Sequence, residues 1–469
     1  MKPEHKLLAA IGTGLVMLAM TASAAEEVDL MITNGMVLTM NQEKVVHDNG
    51  TVVIKNNRIL AVGDASLADD YQADAVIDAD GDIVMPGLIN THTHVSMTVF
   101  RSLADDVPDR LHRYIFPLEA KLVSRDMVRI GANLGNVEMV KGGVTTYADM
   151  YYFEDEVAKT VDAIGMRAVL GESVIKFPVA DAANAEEGIA YALRFIDEYR
   201  DHPRITPAFA PHAPYTNTTE ILKKVADLSL QNDVPVLIHL AESDREVVDI
   251  AERSEGLSPV GYMAAIGALN ENLVGAHMIL VDDSDIELVK RSGMGVAHNM
   301  SANIKSAKGV SPALKMYDQG IRIGLGTDGP MSGNTLSTID ELNQVAKVHK
   351  LVSKDRAAMP PLKVVDMATM GAARALHMED EIGSLEAGKL ADIIVIDTKA
   401  PNMVPVYNPY SALVYSANSA NVRHSVVGGK LIMKDRQLLT VDEDRIRGEA
   451  LAFTEIVRKA VVESGEMIQ

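Results

Sequence analysis

Cysteine is missing from all 469 positions of the chain. The absence excludes disulfides, thiolate metal sites and a lipid-anchored N-terminal cysteine, so any transition metal must rest on nitrogen and oxygen ligands. Tryptophan is missing too. Positive charge is short, with 44 Lys and Arg against 65 Asp and Glu and a formal charge of -21. Such a surface repels polyanions, which argues against nucleic acid or an anionic membrane as partner and leaves small molecules. Long apolar runs are also absent beyond the first two dozen residues, so no stable membrane insertion is expected after that segment is removed.

What is present has the balance of a globular enzyme, 47% hydrophobic and 23% charged. Residues 1–24 combine Lys2 and Lys6, an apolar run and the small-residue triplet Ala22-Ser23-Ala24. This pattern predicts a cleaved signal peptide and a periplasmic protein. Residues 25–85 hold short alternating runs such as "GTVVIKNNRILAVG", and a similar texture returns over 386–440 in "GKLADIIVIDTKAP" and "VRHSVVGGKLIMKDRQ". Both ends therefore predict one small β-sandwich domain, followed by a C-terminal helix over 441–469. Between them, over 86–385, short apolar strands alternate with helical patterns. Eight strand candidates, beginning with "DIVMPGLINTHTH" and ending with "IRIGLGTDG", predict an α/β architecture, a (β/α)8 TIM barrel.

Polar residues fall at the ends of these strands: His92 and His94, Asp149, Glu172, His212, His239 with Glu242, His277, His298 and Asp328. In a (β/α)8 barrel such ends converge on the face where active sites are built. His92 and His94 are two residues apart on a strand and point to one side. With His239 and Asp328 they supply the three or four N/O donors that a catalytic divalent metal takes, leaving room for a water that the metal activates for hydrolysis. Glu242, three residues past His239, is placed to carry a proton from that water to a ring nitrogen or leaving group. His277 would orient the water or polarise developing charge, and Asp328 would accept the first proton. Zinc is the expected metal, one ion per chain, although iron and manganese also suit this donor set.

The segments "PGLINTHTH", "PHAPYT", "IHLAES", "VGAHMILVD" and "GTDGPMSGNTLS" resemble the amidohydrolase superfamily, in particular its mononuclear deaminases of the 5'-methylthioadenosine/S-adenosylhomocysteine deaminase and chlorotriazine hydrolase group. The resemblance runs over residues 28 to 435. It implies that His212 hydrogen-bonds the substrate base and that Glu119, in "FPLEAKLV", accepts both ribose hydroxyls. Binuclear relatives place a carboxylated lysine at the end of strand four, where this chain reads "APHAPYT", so one metal is implied. Two departures bear on the substrate. The tryptophan that such enzymes often pack against adenine has no counterpart. Glu172 stands where adenosine-type deaminases carry an arginine, and a negative charge in the substrate site would disfavour a substrate carboxylate.

The resulting expectation is a metal-dependent deaminase that releases ammonia from an amino-substituted N-heterocycle, with an adenosine or 5'-methylthioadenosine type of nucleoside first and pterins or guanine-like bases next. A triazine-type hydrolase expelling halide or amine is the alternative among enzymes. A periplasmic metal- or ligand-binding protein is the alternative outside them, but it has no use for an acid/base pair beside an open metal. A homodimer is the default assembly for an enzyme of this kind.

Overall fold

The computed structural model of the protein describes residues 25–465 apart from residue 109, so the signal-peptide expectation over 1–24 lies outside the described residues. The chain enters through five strands: β1 (Glu26–Leu38), β2 (Val46–Lys55), β3 (Arg58–Asp64), β4 (Tyr71–Asp78) and β5 (Ile83–Pro86). β1 serves twice. Its first half pairs with β4 and its last residues with β5, both in parallel, while β2 runs antiparallel along it. Register breaks around Gly35 let the long strand bend between these two duties.

Eight parallel strands follow: β6 (Leu88–Thr93), β7 (Val144–Tyr151), β8 (Arg167–Val174), β9 (Ile205–Pro211), β10 (Val236–Leu240), β11 (Leu273–His277), β12 (Gly295–His298) and β13 (Arg322–Leu325). Each pairs with its sequence neighbour, giving one sheet ordered from β13 to β6. The ends meet across a seam where the amides of Thr327 and Asp328 both donate to the carbonyl of His92, at 3.1 and 3.0 Å. Buried Asn90 reinforces it, donating to Thr327 Oγ1 at 2.8 Å and accepting from the Thr327 amide at 3.1 Å. Gly326 permits the approach: a Cβ there would lie 2.2 Å from Asn299 Oδ1 and 3.0 Å from the His92 nitrogen. The expected barrel is therefore present and nearly closed.

Small inward residues fill it, among them Ala148, Ala208, Ala210, Ala276 and Ala297 with Val169, Leu237 and Val274. The segment Met370–Ala375 packs under this cluster, at the end where the strands begin: the start of β12 lies against the Ala375 carbonyl. The opposite end, where the strands finish, is left for chemistry.

The first barrel strand differs from its sequence reading. The run "DIVMPGLINTHTH" is two strands, because β5 belongs to the terminal sheet and only β6 to the barrel. The break is Gly87, where a Cβ would sit 2.0 Å from Thr145 Oγ1. The chain returns to the terminal sheet through β14 (Ile393–Ile396), β15 (Val422–Val427), β16 (Lys430–Lys434) and β17 (Gln437–Leu438). β14 pairs antiparallel with β5 and joins the two chain ends in one mixed sheet of nine strands. Its halves share a core of Ile32, Val52, Ile54, Ile77, Val84, Ile393, Val395 and Val426. The helix Glu443–Glu463 then lies along Arg125–Lys141, burying Ile446, Ala450, Phe453, Val457 and Val461 at helical spacing. Among the described residues, no helix is long and apolar enough to cross a membrane.

Candidate active site

Four side chains converge where the strands end. One donor atom from each of His92, His94, His239 and Asp328 lies within 4.8 Å of the others. His92 and His239 are the last but one residues of β6 and β10, whereas His94 and Asp328 stand just past their strands. Backbone contacts aim the rings. His94 Nδ1 faces the Met150 carbonyl at 2.6 Å and His239 Nδ1 faces the His212 carbonyl at 2.7 Å. A proton on each Nδ1 turns Nε2 inward as a lone-pair donor, the arrangement that metal-binding histidines adopt.

The inward atoms crowd one another. The Nε2 atoms of His94 and His239 are 3.1 Å apart, and Asp328 Oδ1 lies 3.2 Å from His94 Nε2 and 3.6 Å from His92 Nε2. His92 Nε2 is buried with no hydrogen-bond partner. Burial pushes His92 down to about 4 and His239 well below the ordinary range, so both rings are neutral. Burial also works against a charged His94, but the bond and charge of Asp328 win and raise it to about 9. Asp328 is buried yet held well below the usual carboxylate range by His92 and His94. The raised pKa of His94 shows what the centre demands: three imidazoles and an ionised carboxylate around one point hold a positive charge between them, here a proton. A divalent cation fits that demand, and the donor set is three nitrogens and one oxygen.

Proton-handling groups border the cluster. The Glu242 carboxylate is half-buried; desolvation works to raise its pKa, but His277 and Lys308 outweigh it and lower it. His277 Nε2 is 3.7 Å from Glu242 Oε1 and is buried without a hydrogen-bond partner, while Asn303 Oδ1 holds Nδ1 at 2.8 Å. The His277 ring stacks on that of His239 with centroids 5.5 Å apart. His277 and Asp328 both take positive φ, at 76° and 58°, so the backbone is strained at both positions. His212, which follows β9, has its ring centroid 4.8 Å from that of His239, and burial lowers its pKa to about 4. Glu119, on the helix Phe116–Leu122, accepts from Tyr151 Oη at 2.8 Å, and the Tyr151 ring lies 6.3 Å from the His94 ring. Burial raises Glu119 to about 7.

Glu172 is not brought to this centre. Its buried Oε2 accepts the Glu154 amide at 3.0 Å, and its charged neighbours are Asp181 and Asp155. Burial and those carboxylates raise its pKa well above the ordinary value. A carboxyl disfavoured as an anion and turned to the Glu154 amide is not placed to repel a substrate carboxylate as the sequence reading expected. Asp149 and His298 are not in the four-residue ligand group: Asp149 Oδ1 accepts the Val95 amide at 2.6 Å, and His298 Nε2 lies 3.2 Å from His349 Nε2. Lys308 and Asn303 escaped sequence reasoning, because "SANIKSAKG" looks like a solvated helix end and only tertiary contact reveals their partners.

The profile of the Amidohydrolase family matches residues 83–432. The chain belongs to this family. Over 421 residues this amidohydrolase is 44% identical to a 5-methylthioadenosine/S-adenosylhomocysteine deaminase of Syntrophobacter fumaroxidans, covering 89% of the chain and 96% of that relative. It is 38% identical to a 5'-deoxyadenosine deaminase of Methanosarcina mazei, over 90% of the chain and 96% of the relative. Its fold superimposes with a TM-score of 0.91 on a zinc-bound adenosine deaminase from Xanthomonas campestris, at 33% identity over 93% of this chain and 100% of the other. The amidohydrolase carries no lysine on β9, its fourth barrel strand. Among the described residues, the group placed to hold a metal is the three histidines and Asp328.

Proposed function

We propose that this amidohydrolase releases ammonia from the amino-bearing ring carbon of an adenine nucleoside, with the 5'-methylthioadenosine type as preferred substrate and pterin or guanine-like bases behind it. The observation that carries the reading is the Glu242–His277 pair set against the four-ligand cluster. The high identity to nucleoside deaminases supports the substrate class. When bound by His92, His94, His239 and Asp328, a divalent ion, with zinc as the proposed metal, supplies a water acidic enough to attack carbon at neutral pH.

The chain's own groups do the rest. Glu242 takes a proton from the attacking water and delivers it to the ring nitrogen beside the amino-bearing carbon. His277, with its proton fixed on Nδ1 by Asn303, turns Nε2 toward Glu242 and the reacting centre. Asp328 accepts the first proton of the water and passes it to the departing amine, so the ring keeps the water's oxygen as a carbonyl and the amine leaves as ammonia. His212 bonds the heterocycle, and Glu119, braced by Tyr151, receives the ribose hydroxyls. An ammonia-release screen of the purified, metal-loaded protein against nucleosides, free purines, pterins and triazines tests the reading. Release from adenine nucleosides ahead of all others supports it, and release from none of them overturns it.

A further inference from the structure

The Glu242 carboxylate has two partners among the described contacts, and both meet the same oxygen. Lys308 Nζ donates to Oε1, and His277 Nε2 stands 3.7 Å from it. Oε2 is left to exchange protons. His277 is itself held by Asn303, so each member of the acid/base pair has its own support.

The two supports belong to one turn. The helix Met300–Lys305 ends with the Lys308 amide donating to the Asn303 carbonyl at 3.0 Å and the Ala307 amide to the Ile304 carbonyl at 3.1 Å. Ala307 takes φ 55°. This is the double-bonded C-terminal cap called a Schellman motif, and it fixes how far Lys308 stands from Asn303. The neighbouring lysine is not interchangeable with Lys308: Lys305 is committed to Asp105 at 2.8 Å and to Asn334 and the Met331 carbonyl. The Lys308 side chain keeps 35% of its surface exposed, and an ion pair so wet contributes little to folding. Its effect falls on where Glu242 points.

We propose that Lys308 is a positioning residue of the reaction, holding Glu242 Oε1 so that Oε2 meets the proton path, and that the capped turn keeps Glu242 in register with His277 through Asn303. The inference rests on the deaminase reading for its kinetic consequence, but the contact itself is testable without turnover. With the full-length, metal-loaded protein and an adenine nucleoside, Lys308→Met is expected to lower kcat by about tenfold or more, the scale of a displaced catalytic group. KM, metal content and melting midpoint should stay close to wild type, and Lys308→Arg should restore most of kcat because a guanidinium can still reach the carboxylate. In the metal-free protein, carbodiimide-driven amine labelling of Glu242, read by peptide mass spectrometry, should rise several-fold in Lys308→Met and little in Lys308→Arg. Unchanged kcat in Lys308→Met, or a loss that Arg does not relieve, overturns the proposal. Equal labelling in all three proteins overturns it as well, whether or not ammonia is detected. Should the wild type deaminate nothing while labelling rises in Lys308→Met, the proposed function falls and the hold on Glu242 stands.

Discussion

Replacing Glu242 with glutamine keeps size and polarity but removes the capacity to carry a proton. We expect the Glu242→Gln protein to keep its metal and to lose about 10²-fold to 10⁴-fold in kcat, the range of a lost general acid/base; steady-state kinetics beside elemental analysis decides it, and near-normal turnover with metal in place refutes the shuttle. Glu119 leads to a different expectation. Its carboxyl, pushed up to about 7 by burial, accepts hydroxyl protons best when ionised. KM for a nucleoside, divided by KM for its free base, should therefore fall as pH rises through about 7, and Glu119→Gln should flatten that profile while sparing the free base. An equal effect on base and nucleoside would remove ribose recognition from Glu119. Position along the chain foretold neither the Tyr151 contact nor the raised pKa, since both depend on which residues pack over the helix Phe116–Leu122.

At the scale of elements, the seam between β6 and β13 ties the fold to the metal ligands. Asn90 is fully buried and satisfies both the amide and the hydroxyl of Thr327, next to Asp328 in sequence. Asn90→Ala removes both bonds, leaving the Thr327 amide only the His92 carbonyl and the hydroxyl only the Asp328 carbonyl, at a cost of about 1–3 kcal/mol for two buried hydrogen bonds. Urea denaturation should show that loss, and metal titration should show weaker binding because Asp328 is set by the same seam. A variant equal to wild type in both would mean that the backbone bonds to His92 suffice. The strands themselves were legible from their apolar, β-branched runs. The split of "DIVMPGLINTHTH" at Gly87 was not, because the glycine is demanded by Thr145, 58 residues further on.

For the whole molecule, the donor set predicts about one divalent ion per chain. His239→Ala should lose it, and restoring metal to chelated wild type should raise the melting temperature in proportion to the logarithm of free metal over Kd. Two ions per chain would contradict the single centre. Export is a separate proposal from residues 1–24: mass spectrometry of protein from its native host should find a chain starting near Ala25 in the periplasmic fraction, and an intact Met1 in the cytoplasm would end it. The sequence by itself determined the alternation of strand and helix, the sheet shared by both chain ends and the identity of the metal-ligand candidates, because these follow from local periodicity and from residue types with few other uses at strand ends. Only the tertiary structure decided which carboxylates are charged and where they face. Glu172 and Glu242 both look like strand-end acids, yet burial beside Asp181 and Asp155 drives the Glu172 pKa up, whereas Lys308 and His277 draw that of half-buried Glu242 down. Charge in a dry interior is set by neighbours that are remote in sequence, and folding alone brings them together.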